Sequence, residues 1–252
     1  MRERVGIVAA IRVEARCITR QRLPFNQIVM LGPNTAIWLC GMGADAAWEA
    51  ARGLKTGGAT ALMSFGFAGA LHPGLRPGTL VLPESIHFGD SLPVDLSWRA
   101  RLLAQLPHHL NVSGGILAAS SHVVSSATAK RDLATETGAC AVDMESGAVA
   151  EAAAQEGLPF LAVRAISDPV DFSPPKVLLN AVRPDGSVRP GRLLQLLLCR
   201  SLTLRPLIRL ATGSRAACRT LSAVVRYAAP EMGVMGALPS ERGPASEQRT
   251  LA

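Results

Sequence analysis

Three acidic residues stand where carboxylates give or take protons. Glu145 follows a short apolar run, Cys140 to Val142, at the start of a helix of small residues. Asp168 follows a longer run, Phe160 to Ile166, which has the pattern of a strand buried on both faces. Glu14 comes just after a first apolar run, Arg4 to Ile11, in the opening turn of the next helix. Open α/β sheets bind ligands in the crevice beyond the carboxyl ends of their strands, so acids at strand exits can face one cleft. Each also has an ordinary structural role. Glu14 and Glu145 suit a helix N-terminus, where the helix dipole favours negative charge, and Asp168 suits a cap or turn before Pro169.

The elements that must position these acids are legible in the pattern. Gly157, Leu158 and Pro159 end the helix after Glu145, because glycine accepts a left-handed C-terminus and proline cannot continue the ladder. Phe25 to Leu31 and Thr35 to Cys40 read as a hairpin. Gly41, Met42 and Gly43 then turn into a helix over Ala44 to Lys55. That glycine pair can bring backbone amides to an anion, but it lacks the third glycine of a dinucleotide fingerprint. Ala59 to Phe65 reads as a buried strand, followed by a glycine-rich loop, Gly66 to Ala70. Asp95 to Leu106 has helical spacing, with Trp98, Leu102, Leu103 and Leu106 on one face. A short strand, Ile116 to Ala119, leads into Ser120 to Val124. Ser121 beside His122 is discounted as a hydrolase pair, since neighbours on a strand point to opposite faces. Ala127 to Thr137 is expected to be a helix closing over the edge of the site. The fold class is α/β, a single domain with a central mixed, twisted sheet flanked by helices.

Composition narrows the function classes. At 252 residues and 48% hydrophobic content the chain is neither disordered nor too short for a large core. Its five cysteines lack paired spacing, and His108 and His109 have no ligand-spaced companions, so free thiols and no metal site are expected. Arg12 and Glu14 interrupt the first apolar run, so it reads as a strand rather than a signal peptide, and a cytoplasmic protein is expected. The net charge of +7 belongs wholly to the C-terminal part, where 11 arginines and 4 acids follow from Arg183 onward. Arg189 to Arg226 holds eight arginines and no acid, in leucine-rich helices that read as broken at Pro206. Two readings stand open: an interfacial helix on an anionic membrane, or helices packed on the core with solvated arginines. Nucleic acid is disfavoured, because aromatic interleaving is absent. The organisation expected is a core over residues 1–182, basic helices over 183–228 and a disordered tail over 229–252.

The stretch Val142-Asp143-Met144-Glu145-Ser146-Gly147-Ala148, followed by Arg164-Ala165-Ile166-Ser167-Asp168, resembles the nucleoside phosphorylase and nucleosidase superfamily. It is similar in particular to the methylthioadenosine/S-adenosylhomocysteine nucleosidases, from Val5 to about Asp171. The whole chain looks most like the hopanoid-associated phosphorylases, including the Pro-Asp-Gly turn near Asp185. The resemblance implies cleavage of the N-glycosidic bond of a 5′-substituted adenosine with release of adenine. It assigns Asp168 as the acid that protonates purine N7, with Ser167 orienting it, and Glu14 as the base that activates water. Glu145 would bind the ribose hydroxyls and Met144 would pack under the sugar. Gly66, Phe67, Ala68 and Gly69 would lie beneath the ribose and the nucleophile. Val124 would contact the base through its backbone, and Val123 takes a position that is aromatic in the nucleosidases, so base stacking is altered. Phe172 would cover the base or the 5′ group.

One departure bears on the nucleophile. Where the hexameric purine nucleoside phosphorylases hold phosphate with an arginine and a serine, this chain has Ser64 and Phe67, so the bidentate clamp is lost unless Arg12, Arg16 or a neighbouring subunit replaces it. Hydrolysis is favoured, with phosphorolysis, and inorganic phosphate as co-substrate, as the alternative; no other cofactor is expected. The resemblance implies adenosylhopane as substrate, a lipid-linked nucleoside reached from the inner membrane face, with methylthioadenosine as the soluble alternative. It also implies a homo-oligomer. A non-catalytic nucleoside-binding or membrane-surface module is the competing class, since fold does not imply activity.

Overall fold

The computed structural model describes residues 4–173 and 204–233. The Pro-Asp-Gly turn, residues 174–203 as a whole and the stretch beyond residue 233 lie outside the described residues.

A strand pattern that alternates between two apolar faces builds a sheet with a core on each side. Ile7, Met63, Phe65, Leu161 and Val163 point to one side, and Val8, Leu62, Phe160, Ala162 and Ile166 to the other. Eleven strands are found among the described residues, in the order β2 (Ile28–Gly32), β3 (Thr35–Leu39), β1 (Val5–Ala9), β4 (Ala61–Ala70), β10 (Ala141–Asp143), β9 (Ile116–Ala119), β6 (Ser85–Phe88) and β7 (Asp90–Pro93), with β11 (Phe160–Asp168) added on the other edge of β4, then β5 (Leu80–Val81) and β8 (Val112–Ser113). The site is built on β1 (Val5–Ala9), β4 (Ala61–Ala70), β10 (Ala141–Asp143) and β11 (Phe160–Asp168). The expected hairpin is present as β2 (Ile28–Gly32) and β3 (Thr35–Leu39), paired antiparallel.

Helices cover both faces. α1 (Arg12–Ile18), α3 (Leu96–Gln105) and α6 (Leu204–Tyr227) lie over the first core, α2 (Ala44–Thr56) and α5 (Ser146–Gln155) over the second. α2 buries Ala47, Ala50, Ala51 and Leu54, one helical stripe, against α5. α5 is buried nearly all round, which its run of Gly, Ala and Ser permits. On α3, Trp98, Leu102 and Leu106 are buried but Leu103 is exposed, because a strict four-residue step leaves it off the stripe. α4 (Ala127–Thr137) caps on Ser126, whose hydroxyl accepts from the Ala129 amide at 3.0 Å.

Pro206 sits in the first turn of α6, where its missing N–H has no intrahelical partner to lose, and what precedes Leu204 lies outside the described residues. One expectation about the C-terminal part changes: the structure continues past residue 228. Ala229–Met232 form a short 3-10 turn with Met232 buried, held by Trp98 Nε1 donating to the Glu231 carbonyl at 2.8 Å and by an Arg101–Glu231 ion pair at 3.0 Å. α6 packs Ala217, Leu221, Val224 and Val225 on the core and leaves Arg205, Arg209, Arg215, Arg219 and Arg226 exposed. No helix among the described residues is long and apolar enough to cross a membrane.

Candidate active site

The acids converge because β4 changes partners along its length. Its first half pairs in parallel with β1, Val5 with Ala61 through Val8 with Ser64. Its end pairs antiparallel with β10, Val142 with Gly69 and Ala141 with Ala70. The carboxyl ends of β1 and β10 therefore point toward each other along one edge of β4. β11 runs along the other edge in parallel, with Arg164 opposite Gly66 and Asp168 opposite Gly69 after a register shift. Gly66 to Ala70, expected as a loop, thus remains strand. Pairing on both edges outweighs the weak strand preference of glycine.

Glu14 is buried at 3% exposure in the first turn of α1. Its Oε2 accepts from the Ala10 and Ile11 amides at 3.1 and 3.0 Å, and its Oε1 accepts from the Phe67 amide at 2.8 Å. The same carboxylate thus caps the helix and ties it to β4. A β-carbon on Gly66 would overlap this carboxylate, so glycine is needed there for the close approach. Glu145 forms the N-cap of α5. Its Oε1 accepts from the Gly43 amide at 3.0 Å, so the Gly41-Met42-Gly43 turn does offer an amide to an anion, and the anion is a side chain of this protein.

Between them lies Arg164, 1% exposed, on the strand whose neighbours are all apolar. Its guanidinium pairs with Asp143 at 2.7 Å and lies 3.7 Å from Glu145. It also donates to the Ser146 hydroxyl at 3.1 Å, to the Phe67 carbonyl at 3.2 Å and to the Ser64 hydroxyl. One cation faces three buried carboxylates. Burial raises the Glu14 pKa, with Arg164 and the Phe67, Ile11 and Ala10 amides pulling it back. Burial likewise raises Asp143 against the attraction of Arg164. Glu145 is pushed up to about 7, first by burial, with Arg164 opposing and the charges of Asp143 and Glu14 adding to the rise.

Asp168 stands at the edge of a cavity of about 200 Å3 that Gly69, Val123, Val124, Met144 and Phe172 also line. The Ser167 hydroxyl donates to Asp168 Oδ1 at 2.8 Å. Lys130 of α4, buried, donates to Asp168 Oδ2 and to the Pro169 carbonyl at 2.9 Å. Asp143 lines the same cavity and joins it to the Arg164 cluster. Glu14, Glu145, Gly66, Phe67, Ala68 and Ser167 are not among the cavity's walls. Val123, at the position where an aromatic ring was expected to be missing, is 50% exposed at the rim.

Arg12 and Arg16 do not face this centre. With Arg20 and Arg22 they line a separate pocket of about 240 Å3 that shares no residue with the cavity beside Asp168. Ser121 and His122 do meet, 3.3 Å apart, because this segment is an irregular loop and not a strand, but both are exposed and no carboxylate bonds His122 among the described residues.

A model of the phosphorylase superfamily matches residues 1–183. The chain belongs to the phosphorylase superfamily. No curated protein matches by sequence. Among solved structures it is similar to the 5′-methylthioadenosine/S-adenosylhomocysteine nucleosidase of Neisseria meningitidis in complex with methylthio-immucillin-A. The two share 17% identity at a TM-score of 0.68, over 92% of this chain and 99% of that one. It is similar to a Helicobacter pylori nucleosidase of the same name, an Asp-to-Asn mutant with 5′-methylthioadenosine in its active site, at 18% identity and TM-score 0.64 over 90% and 99% of the chains. Futalosine hydrolase of Helicobacter pylori is similar at 18% identity and TM-score 0.65, over 89% and 97%.

Arg164, Lys130, Asp143 and Leu210 were given no role on sequence grounds. An arginine inside an apolar strand was a usable signal, since a buried charge needs partners. Lys130 gave none, because its partner is 38 residues away on another element. Leu210 reaches the cavity from α6.

Proposed function

We propose that this member of the superfamily hydrolyses the N-glycosidic bond of a 5′-substituted adenosine and releases adenine. The observation that carries this reading is the charge balance at the buried centre. Glu14, Asp143 and Glu145 surround Arg164, whose donors are already engaged, and the arginines of α1 lie in another pocket. Among the described residues a phosphate dianion has no free cation there and meets excess negative charge, whereas a neutral water meets a buried base with a raised pKa.

In this reading Glu14 takes a proton from water as its oxygen bonds to C1′. The C1′–N9 bond breaks through an oxocarbenium-like state, its electron pair leaves with adenine, and Asp168, oriented by Ser167, delivers a proton to N7. Glu145 accepts from the ribose hydroxyls and Met144 packs under the sugar. Gly66, Phe67, Ala68 and Gly69 underlie the ribose and the water. Val123 and Val124 flank the base, and Phe172 covers it. The cavity is smaller than the ~300–1,000 Å3 of sites that enclose a whole ligand, so it suits the base, with a 5′ substituent emerging from it.

We propose adenosylhopane, or a nucleoside of that lipid-linked class, as the substrate. α6 supports this: it places Leu210 at the cavity and carries an exposed Ile208 and five exposed arginines along its length, apolar surface and charges that favour an anionic bilayer.

The test is adenine release from adenosylhopane in liposomes and from soluble methylthioadenosine, each with and without phosphate. Phosphate-independent release from liposomes is expected. A requirement for phosphate with formation of a ribose 1-phosphate overturns the role of Glu14, and turnover of the soluble nucleoside alone overturns the lipid. Asp168→Asn is expected to abolish turnover while nucleoside binding persists; equal loss of both favours a structural role for Asp168.

A further inference from the structure

Arg12, Arg16, Arg20 and Arg22 fall close together in the chain, and the fold gathers all four round one pocket of about 240 Å3. Arg12 and Arg16 lie one turn apart on α1, and Arg20 and Arg22 follow its end at Ile18. The apolar lining is Ala15, Leu23 and Leu39, each buried. Leu39 is fixed by its bridge to Phe25 and by the Asn26 amide, which donates to its carbonyl at 2.9 Å. Arg12 is held in place from two sides. Its Nη1 donates to the Leu23 carbonyl at 2.8 Å, and its guanidinium carbon stands 4.5 Å from the centre of the Phe25 ring.

No carboxylate lines this pocket, and among the described residues none of the four arginines is ion-paired. Glu14, on the same helix, is buried and gives its oxygens to the Ala10, Ile11 and Phe67 amides instead. Like charges gathered round one hollow repel, and an anion seated among them turns that repulsion into attraction. We propose that this pocket binds a phosphate group carried by a larger molecule, a lipid headgroup or a soluble phosphate ester. A carboxylate takes one forked guanidinium, whereas the tetrahedral oxygens of a phosphate take donors from several sides, as four arginines offer them. The pocket is smaller than the ~300–1,000 Å3 that encloses a whole ligand, so it holds the phosphate and leaves the rest of the molecule outside. The site shares no residue with the cavity beside Asp168, and it stands whether or not the protein turns over a nucleoside.

The test uses one headgroup in two settings. The full chain is titrated with glycerol 3-phosphate by calorimetry and sedimented with phosphatidylcholine vesicles with and without phosphatidic acid, both at roughly 0.15 M salt to screen unspecific attraction. Two variants of equal charge change separate a built pocket from a basic surface. Arg16→Gln/Arg20→Gln/Arg22→Gln removes three arginines of the pocket, and Arg215→Gln/Arg219→Gln/Arg226→Gln removes three of α6. All six side chains are exposed, so both variants are expected to melt like wild type. The pocket variant is expected to lose roughly tenfold or more in affinity for whichever probe binds the wild type, the scale of one charge-assisted contact, while the α6 variant keeps most of it. Vesicle binding that depends on phosphatidic acid and is lost with the pocket arginines assigns the lipid headgroup. Binding of glycerol 3-phosphate without vesicle binding assigns the soluble ester. Equal losses in the two variants would reduce the pocket to general basic surface and overturn the proposal, as would a wild-type protein that binds neither probe. Should the pocket variant melt early, Arg22→Gln, which lies beyond α1, takes its place with the same expected loss.

Discussion

Gly213 of α6 packs directly against Ser167: a β-carbon on Gly213 would overlap the Ser167 carbonyl oxygen. The C-terminal helix is thus seated on the end of the strand that carries Asp168. Gly213→Ala should push the two apart, costing about 1–3 kcal/mol of stability and displacing Asp168, with a loss in kcat larger than thermal destabilisation explains. Thr212→Ala, on the exposed neighbour, should change stability by no more than about 0.5 kcal/mol. Thermal melts and adenine release check both; a neutral Gly213→Ala would mean the helix does not set the strand end.

Glu145 predicts two pH effects of opposite sign. Its pKa of about 7 in the folded protein exceeds the ordinary 4.5, so its contribution to stability is complete below 4.5 and is lost as pH rises through about 7. Ribose hydroxyls donate to the ionised form, so affinity for a nucleoside analogue should rise over the same window, with proton release on binding. Calorimetry in buffers of different ionisation enthalpy measures that release, and Glu145→Gln should flatten both curves.

Arg164→Met leaves Asp143 and Glu145 buried without their cation. Breaking such a pair costs about 3–5 kcal/mol, so urea unfolding should shift by that amount or the protein should not accumulate. A loss below about 1 kcal/mol would show that the acids stay neutral without Arg164.

Val123→Phe should restore a ring at the cavity rim. A stacked aromatic contact adds about 0.5–1.5 kcal/mol, so KM is expected to fall roughly threefold to tenfold with kcat unchanged. An unchanged KM would place Val123 away from the base.

Much of the frame was readable because burial writes a pattern. The apolar runs of β4 and β11, the small-residue helix α5 and the Gly157 stop follow from strand and helix periodicity and from glycine chemistry, and the structure has each of them. The expected loop at Gly66 failed because local glycine preference lost to pairing on both edges of β4, which no local rule sees. Pro206 falls in the first turn of α6, where proline costs little, so it marks the start of that helix.

By itself the sequence determined the α/β class, the strand exits that carry Glu14, Glu145 and Asp168, and the place of the C-terminal charge, since these depend on the order and type of nearby residues. Only the tertiary structure decided that β1 and β10 point toward each other along β4, that Arg164 pairs with Asp143 and Glu145 beside Glu14 in one centre, that the arginines of α1 turn away from it, and that Lys130 reaches Asp168. Those relations join residues far apart in the chain, and a charge becomes costly enough to demand a particular partner only once folding has removed its water.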